Sequence, residues 1–318
     1  MLPPGLSMLW EATDPQAALR ERFGFNDFDQ VGDWVTQVLG ETWGLTVVRC
    51  SRMVISDQNV ILWAGSDRGD LVVKWSRARE SFGRLDASTR LLRPVAGQGV
   101  PVATPFATLD ARDRVVLDGP GGALSVTVLP EITGDWLNVD HPEQVWAAGA
   151  CLAQVHRALG TITAPMPGDD PKERIEGWLA GADRGFAPAA SRRLGELLAA
   201  APELDDQRQL VHNDFRAANI LTQGSAITAV LDFDEVRVDH RVSDLARAGV
   251  YLGTRFTDWR PTSAAVKHTL RAGYESVRPL SRAEAQWLEI LLLWHGLAAV
   301  SAPDDPDGWA SVLFMGQT

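Results

Sequence analysis

The segments LVHNDFRAANIL, residues 210–221, and VLDFDEV, residues 230–236, hold the densest set of reactive groups in the chain. His212, Asp214 and Asn219 fall in a polar loop between two short apolar runs, and Asp232 and Asp234 end the second run, thirteen residues after Asn219. Three carboxylates and an amide oxygen converging from adjacent strand ends make a site for a hard divalent cation, which takes oxygen ligands. No Cys or His cluster competes for a softer metal. Phosphoryl transfer needs oxygen ligands for magnesium, a carboxylate facing the acceptor hydroxyl and a lysine on the nucleotide phosphates. Lys74, at the end of the apolar run Leu71-Val72-Val73, is the candidate lysine.

These groups need elements to hold them. The first forty-odd residues read as amphipathic helix, with Trp10, Leu19, Phe23, Val31, Trp34, Val38 and Leu39 as core positions. Runs rich in β-branched residues at 45–50, 59–64 and 71–75, separated by Ser56-Asp57-Gln58 and Ser66-Asp67-Arg68-Gly69, predict an antiparallel meander. A helix follows over 81–95, then strands over 100–108, 114–117 and 123–129. Beyond Pro130-Glu131-Ile132-Thr133-Gly134 the helical period dominates, over 142–160, 172–184, 190–201, 242–252, 262–275 and 281–300, with short strands around 210–211 and 221–232. The expected class is α+β in two lobes: a strand-rich N-lobe over 1–130, a connector over 131–135 and a helical C-lobe over 136–318.

The chain of 318 residues has room for two such lobes at ~150 residues each. Its net charge of −11 argues against nucleic acid, whose binding displaces counterions with clustered cations, and against an anionic membrane surface. Only Cys50 and Cys151 occur, so neither a disulfide framework nor a zinc motif can be built. The opening MLPPGLSMLWEATD lacks the basic and apolar regions of a signal peptide, and the apolar stretch 290–300 is too short to span a bilayer. A cytoplasmic location is the expectation.

His-x-Asp-x-x-x-x-Asn followed by Asp-Phe-Asp resembles the aminoglycoside phosphotransferase family, the small-molecule branch of the protein-kinase-like fold. The order of lysine strand, connector, catalytic loop and metal aspartate covers most of the chain. The acidic, Trp-rich chain is also similar to bacterial maltokinases and, more closely, to actinobacterial glucosamine kinases of that family. The resemblance implies ATP and Mg2+ as cofactors, and it implies roles for individual residues. Asp214 would be the catalytic base, or the group that orients the acceptor hydroxyl; Asn219 and Asp232 would hold magnesium. Lys74 would meet the α- and β-phosphates, with Asp86, or else Glu80, as its acidic partner. Glu131, Ile132 and Thr133 would pair with adenine, and Asp135 would lie near the ribose. His212 would support the loop. Two departures stand out: Asn213 replaces the usual glycine, as a residue type that tolerates positive φ, and the phosphate-covering loop 55–60 contains no glycine.

For the acceptor, Asp214, Asp234 and Glu235 add negative charge. Gln286 and Glu289, spaced i,i+3, share a helix face, with Trp287, Leu291 and Trp294 on an adjoining stripe. Acids beside an indole suit an amino sugar, the acids pairing with its ammonium and the ring stacking on an apolar sugar face. The same spacing also describes a solvated face beside core tryptophans. The expected reaction is phosphorylation of D-glucosamine to glucosamine 6-phosphate in a cleft between the lobes. The alternatives are an aminoglycoside antibiotic, maltose or an amino alcohol as acceptor, and, from another class, a catalytically dead nucleotide-binding regulatory protein. No stretch resembling Ala-Pro-Glu ends an activation segment, which disfavours protein kinase activity.

Overall fold

Alternating apolar residues at 60–64, 71–75 and 124–128 dictate a sheet with one buried face, because successive strand side chains point to opposite sides. The computed structural model describes residues 5–163, 170–181, 187–204, 207–256, 259–300 and 308–309. It divides into two units, residues 1–97 with 102–133, and residues 98–101 with 134–318.

Among the described residues the first unit forms β1 (Gly5–Met8), β2 (Val47–Ile55), β3 (Asn59–Ser66), β4 (Gly69–Ser76), β5 (Val115–Gly119) and β6 (Gly122–Pro130). They lie in the order β1-β2-β3-β4-β6-β5, with β1 parallel to β2 and the other neighbours antiparallel. The buried face is built from Val60, Leu62 and Ala64, from Leu71, Val73 and Trp75, and from Leu124, Val126 and Val128. The helices of this unit are α1 (Pro15–Ala18), α2 (Phe28–Trp43) and α3 (Phe82–Ala96). A stripe of Val31, Val35, Leu39 and Trp43 on α2 joins the same core as that face. The Asp27 side chain caps α2 by accepting from the Gln30 N–H at 2.8 Å.

Lys74 points to the other face of β4, half-buried, with Ile61 and Thr127 as its cross-strand neighbours. Ladders on both sides fix its backbone. It does not end its strand, which continues to Ser76. On that same face Arg114 donates to Ser125 at 3.0 Å and to Thr89 of α3 at 3.3 Å.

The structure revises several expectations for this half. Residues 5–8 form an edge strand, and Trp10 is 54% exposed rather than part of the core. The run 100–108 is not a strand: Pro101 and Pro105 remove two ladder donors. The division between units falls between Thr133 and Gly134, within the expected connector, and residues 98–101 join the second unit. There the Val230 N–H donates to the Pro101 carbonyl at 2.7 Å, and Gln98 donates to the Thr161 hydroxyl at 2.8 Å.

The second unit contains β7 (Asp135–Trp136), α4 (Pro142–Leu159), α5 (Pro171–Gly181), α6 (Pro188–Ala199), β8 (Gln209–Val211), β9 (Ile220–Gln223), β10 (Ala226–Val230), β11 (Arg237–Asp239), α7 (Arg241–Tyr251), α8 (Ala264–Val277) and α9 (Arg282–Ala299). Positions 182–184, expected to continue α5, lie outside the described residues. A three-stranded sheet β10-β9-β7 and a two-stranded ribbon β11-β8 sit among the helices. No described helix is long and apolar enough to cross a membrane.

Helices α4 and α8 approach closely because glycines face each other across the contact. A Cβ at Gly149 would lie 2.0 Å from the Leu270 carbonyl oxygen, and one at Gly273 would lie 2.0 Å from that of Trp146. Neither backbone can yield without moving its helix. Gly273→Ala is therefore expected to destabilise the fold by about 1–3 kcal/mol, as measured by denaturant unfolding. Unchanged stability would contradict this close crossing.

Candidate active site

The β8–β9 loop carries the predicted groups, and its path explains their placement. β8 pairs with β11, then the chain turns at Asn213, whose φ of 65° is left-handed. Asparagine tolerates this conformation at small cost, which is how it fills the glycine position. The buried Asp244 of α7 fixes the turn: its Oδ2 accepts the His212 N–H at 2.9 Å and its Oδ1 accepts the Asn213 N–H at 3.0 Å. Oδ2 also meets Nε2 of the buried His156 at 2.9 Å, and Nδ1 of that ring meets the Tyr274 hydroxyl at 2.9 Å. Burial works to raise the Asp244 pKa. The His156 hydrogen bond first, with the nearby His156 and His212 rings and the Asn213 N–H, outweighs it and holds the carboxyl below the ordinary carboxylate range.

His212 lies inside the loop rather than in its opening. Its Nδ1 accepts the Asp214 N–H at 3.2 Å and its Nε2 donates to the Leu231 carbonyl at 3.0 Å, so one ring ties the loop to the end of β10. Phe215 and Phe233 meet the ring edge-on at 5.9 and 4.7 Å. These bonds give His212 a supporting position.

Asp214 is partly exposed, at 18% of its side chain. Arg216 Nε donates to both of its carboxylate oxygens, at 3.0 and 3.1 Å. Asn219 Nδ2 donates to its Oδ2 at 2.7 Å and to its backbone oxygen at 2.9 Å. These bonds turn the Asn219 amide oxygen away from Asp214. Asn219 is joined to the other motif directly, its backbone oxygen accepting the Leu231 N–H at 2.8 Å. The next residue, Asp232, is half-buried and takes a left-handed conformation, φ 61° and ψ 68°. That conformation is strained for a residue with a Cβ. The chain reverses there into a short 3-10 turn, Phe233–Glu235, which carries Asp234, half-buried, and Glu235, exposed.

The expected gathering of three carboxylates does not occur: no set of three His, Cys, Asp or Glu side chains converges to hold a metal among the described residues. Asn219 and Asp232 both offer oxygen ligands, and the Leu231 N–H on the Asn219 carbonyl brings their two segments together. This fits magnesium, which is commonly held by one or two protein groups, with phosphates and water filling its octahedron.

Other predicted residues fall as follows. Asp86 ion-pairs with Arg90, one turn along α3; Glu80 is exposed. Glu131 is half-buried at the end of the first unit, and its N–H donates to the Asp70 carbonyl at 2.9 Å. Burial raises the Glu131 pKa against the lowering charges of Arg52 and Arg49. Ile132 is half-buried, Thr133 is exposed, and Asp135 is exposed on β7. The tight turn 56–59 closes β2 onto β3, with the Ser56 N–H donating to the Asn59 carbonyl at 2.9 Å. On α9, Gln286 and Glu289 are exposed. Trp287 is buried and donates to the Pro202 carbonyl at 2.8 Å. Trp294 is 8% exposed, with the Arg174 guanidinium 5.2 Å from its ring centroid. Glu289 and Trp294 are five residues apart, about 140° around the helix, and do not share a face.

Sequence reasoning missed Asp244, Arg216 and Arg247. Asp244 had a signal, an acid inside the wholly buried run 242–246, where a charge requires partners. Arg216 stands two residues after Asp214 in the motif itself. Arg247 Nε donates to the Asn213 carbonyl at 2.7 Å, a contact across 34 residues without a local signal.

The family model described as "Phosphotransferase enzyme family" (APH) matches residues 54–280. This chain belongs to that family. A homoserine kinase of Neisseria meningitidis serogroup B is 28% identical to this phosphotransferase over 244 residues, 72% of this chain and 73% of the relative. Macrolide 2′-phosphotransferase MphH of Brachybacterium faecium superposes with a TM-score of 0.61 at 17% identity, covering 90% of this chain and 98% of that one. Amicoumacin kinase hAmiN, solved in complex with AMP-PNP, Ca2+ and Ami, superposes with a TM-score of 0.56 at 16% identity, covering 90% of this chain and 94% of that one. These likenesses show the fold to be the expected α+β, protein-kinase-like one, a sheet-rich N-terminal unit followed by a helical unit. The names of these relatives carry homoserine, a macrolide and amicoumacin rather than glucosamine or maltose.

Proposed function

We propose that this phosphotransferase moves the γ-phosphoryl group of Mg·ATP to the hydroxyl of a small, amine-bearing alcohol, with Asp214 facing that hydroxyl. The observation that carries the reading is the clamp on Asp214. Two donors, Arg216 Nε and Asn219 Nδ2, hold its carboxylate in one orientation. Asp214 orients the acceptor hydroxyl and takes its proton as the bond to phosphorus forms and the bridge to ADP breaks. Lys74 meets the α- and β-phosphates, and residues 131–133 pair with adenine, with Asp135 toward the ribose. Asn219 and Asp232 would hold magnesium, which would supply charge neutralisation on the transferring phosphates. The dead-protein alternative loses its ground, because Lys74, Asp214, Asn219 and Asp232 are all present.

The acceptor is the finer question. D-glucosamine and homoserine both carry an amine and a primary hydroxyl, and Asp234 is the acid suited to the ammonium. The stacking part of the glucosamine expectation finds no support in Trp294, which is nearly buried and packed by Arg174. ADP release from the purified chain with Mg·ATP, assayed against glucosamine, homoserine, an aminoglycoside and maltose, tests the class. Amine-bearing alcohols are expected to be turned over in preference to maltose. A clear preference for maltose would overturn the assignment of the acceptor.

A further inference from the structure

Helices α8 and α9 each pack on α7 but hardly on each other. The gap among the three holds a cavity of about 170 Å³. Its walls are apolar: Leu245 and Gly249 of α7, Leu270 of α8, and Leu288 and Leu292 of α9. It reaches solvent beside the exposed His268 and Glu289. An apolar cavity of about 150 Å³ holds a benzene ring, so this one has room for about six carbon atoms.

One charge faces this apolar space without a counter-charge. Lys267 of α8 is half-buried and lines the cavity. Its pKa lies below the ordinary lysine value, and burial is the whole cause, with no acid near enough to oppose it. Among the described residues its ammonium has no ion pair, although Glu289 lines the same cavity. The other cation of the wall, Arg271, is already engaged, donating to the two carboxylate oxygens of Glu275 at 3.2 and 3.3 Å. An ammonium drawn out of water with nothing to pair it is costly. Lysine is also scarce in this chain: Lys74, Lys172 and Lys267 are all there are.

The cavity does not belong to the acceptor. Asp244 and Arg247 are the α7 residues that hold the Asp214 loop. At about 100° per residue, Leu245 and Gly249 lie about 100° and 140° around the helix from Asp244, and about 160° from Arg247. The cavity is thus on the back of the helix whose other face aims Asp214.

We propose that this cavity is a second binding site, for a small aliphatic monocarboxylic acid whose carboxylate pairs with Lys267 and whose tail of about five carbons lies against the leucines. The carboxylate supplies the charge that Lys267 lacks, and the tail removes water from apolar walls. The proposal goes beyond the phosphotransferase reading and stands without it, because binding alone tests it.

Calorimetric titration of the full chain with acetate, butyrate, hexanoate and hexan-1-ol is the test. Affinity is expected to rise about fourfold for each added CH2 up to hexanoate, and hexan-1-ol should bind at least about tenfold more weakly than hexanoate. Lys267→Met keeps the length of the side chain and its apolar packing. It should weaken hexanoate about tenfold or more and leave hexan-1-ol little changed. Lys172→Met, at an exposed position of α5, should alter neither. No binding of hexanoate at millimolar concentration, acetate or hexan-1-ol binding as tightly as hexanoate, or an unchanged affinity in Lys267→Met would each overturn the proposal. A second arm uses the wild type alone: acetylation of the three lysines, read by mass spectrometry. Hexanoate should slow the labelling of Lys267 and leave that of Lys172 unchanged. If thermal unfolding shows that Lys267→Met does not fold, this arm decides, and equal labelling of Lys267 with and without hexanoate overturns the site.

Discussion

Asp214→Asn should lower kcat for phosphoryl transfer by about 10²- to 10⁴-fold, the range in which a positioned general base contributes, and leave the KM for ATP little changed. The Asp214 carboxylate accepts from Arg216 at 3.0 and 3.1 Å and from Asn219 at 2.7 Å. An amide in its place would have no charge to receive a proton, and its NH2 would face donors that need an acceptor. The loop itself should survive, because its turn is held by the His212 and Asn213 backbone and not by this side chain. Steady-state kinetics with varied ATP and varied acceptor separate the two constants. A variant retaining kcat within about tenfold of wild type would remove Asp214 from the chemistry.

Asp244→Ala should cost about 3–5 kcal/mol of stability, the range for breaking a buried, hydrogen-bonded charge, and should abolish turnover with it. The carboxylate satisfies two backbone N–H groups and the His156 ring, all inside the second unit. Alanine would leave all three without their acceptor and would release the turn that aims Asp214. The pH dependence follows from the direction of its shift. The folded-state pKa lies below that of the unfolded chain, so the stabilisation is complete above the unfolded value of ~3.9 and is lost as pH falls through the depressed folded value. Denaturant unfolding of wild type and Asp244→Ala should therefore show a gap that is constant near neutrality and narrows in strong acid. A gap independent of pH would show that the Asp244 charge is not what the fold uses.

Local chemistry made the β8–β9 loop readable. His212, Asp214, Asn219 and Asp232 are polar groups set at fixed spacing between apolar runs, and the strands that end there announce themselves by alternation. The meander carrying Lys74 was legible for the same reason. Elements of two to four residues were not: β1, β7 and β11 are too short to show a period, and their pairing is decided by partners distant in the chain. The prolines at 101 and 105 overrode a β-branched composition. Contacts that span the chain were also out of reach. His156 reaches Asp244 across 88 residues, and Arg174 reaches Asp239 across 65. Asp86 was the harder assignment, because a helix acid is equally suited to its i,i+4 neighbour, here Arg90. Gln286, Glu289 and Trp294 were grouped by spacing, but the packing of α9 separates them: an indole at the edge of the core is covered by whatever cation the fold supplies.

The central claim is that Asn219 and Asp232 give this phosphotransferase a site for magnesium together with nucleotide. Calorimetric titration with ATP, in magnesium and in excess chelator, tests it on wild type and Asp232→Asn. Tight binding in magnesium, weakened about tenfold or more by chelator and by the substitution, is the predicted result. Equal affinity for ATP in all four combinations would contradict it.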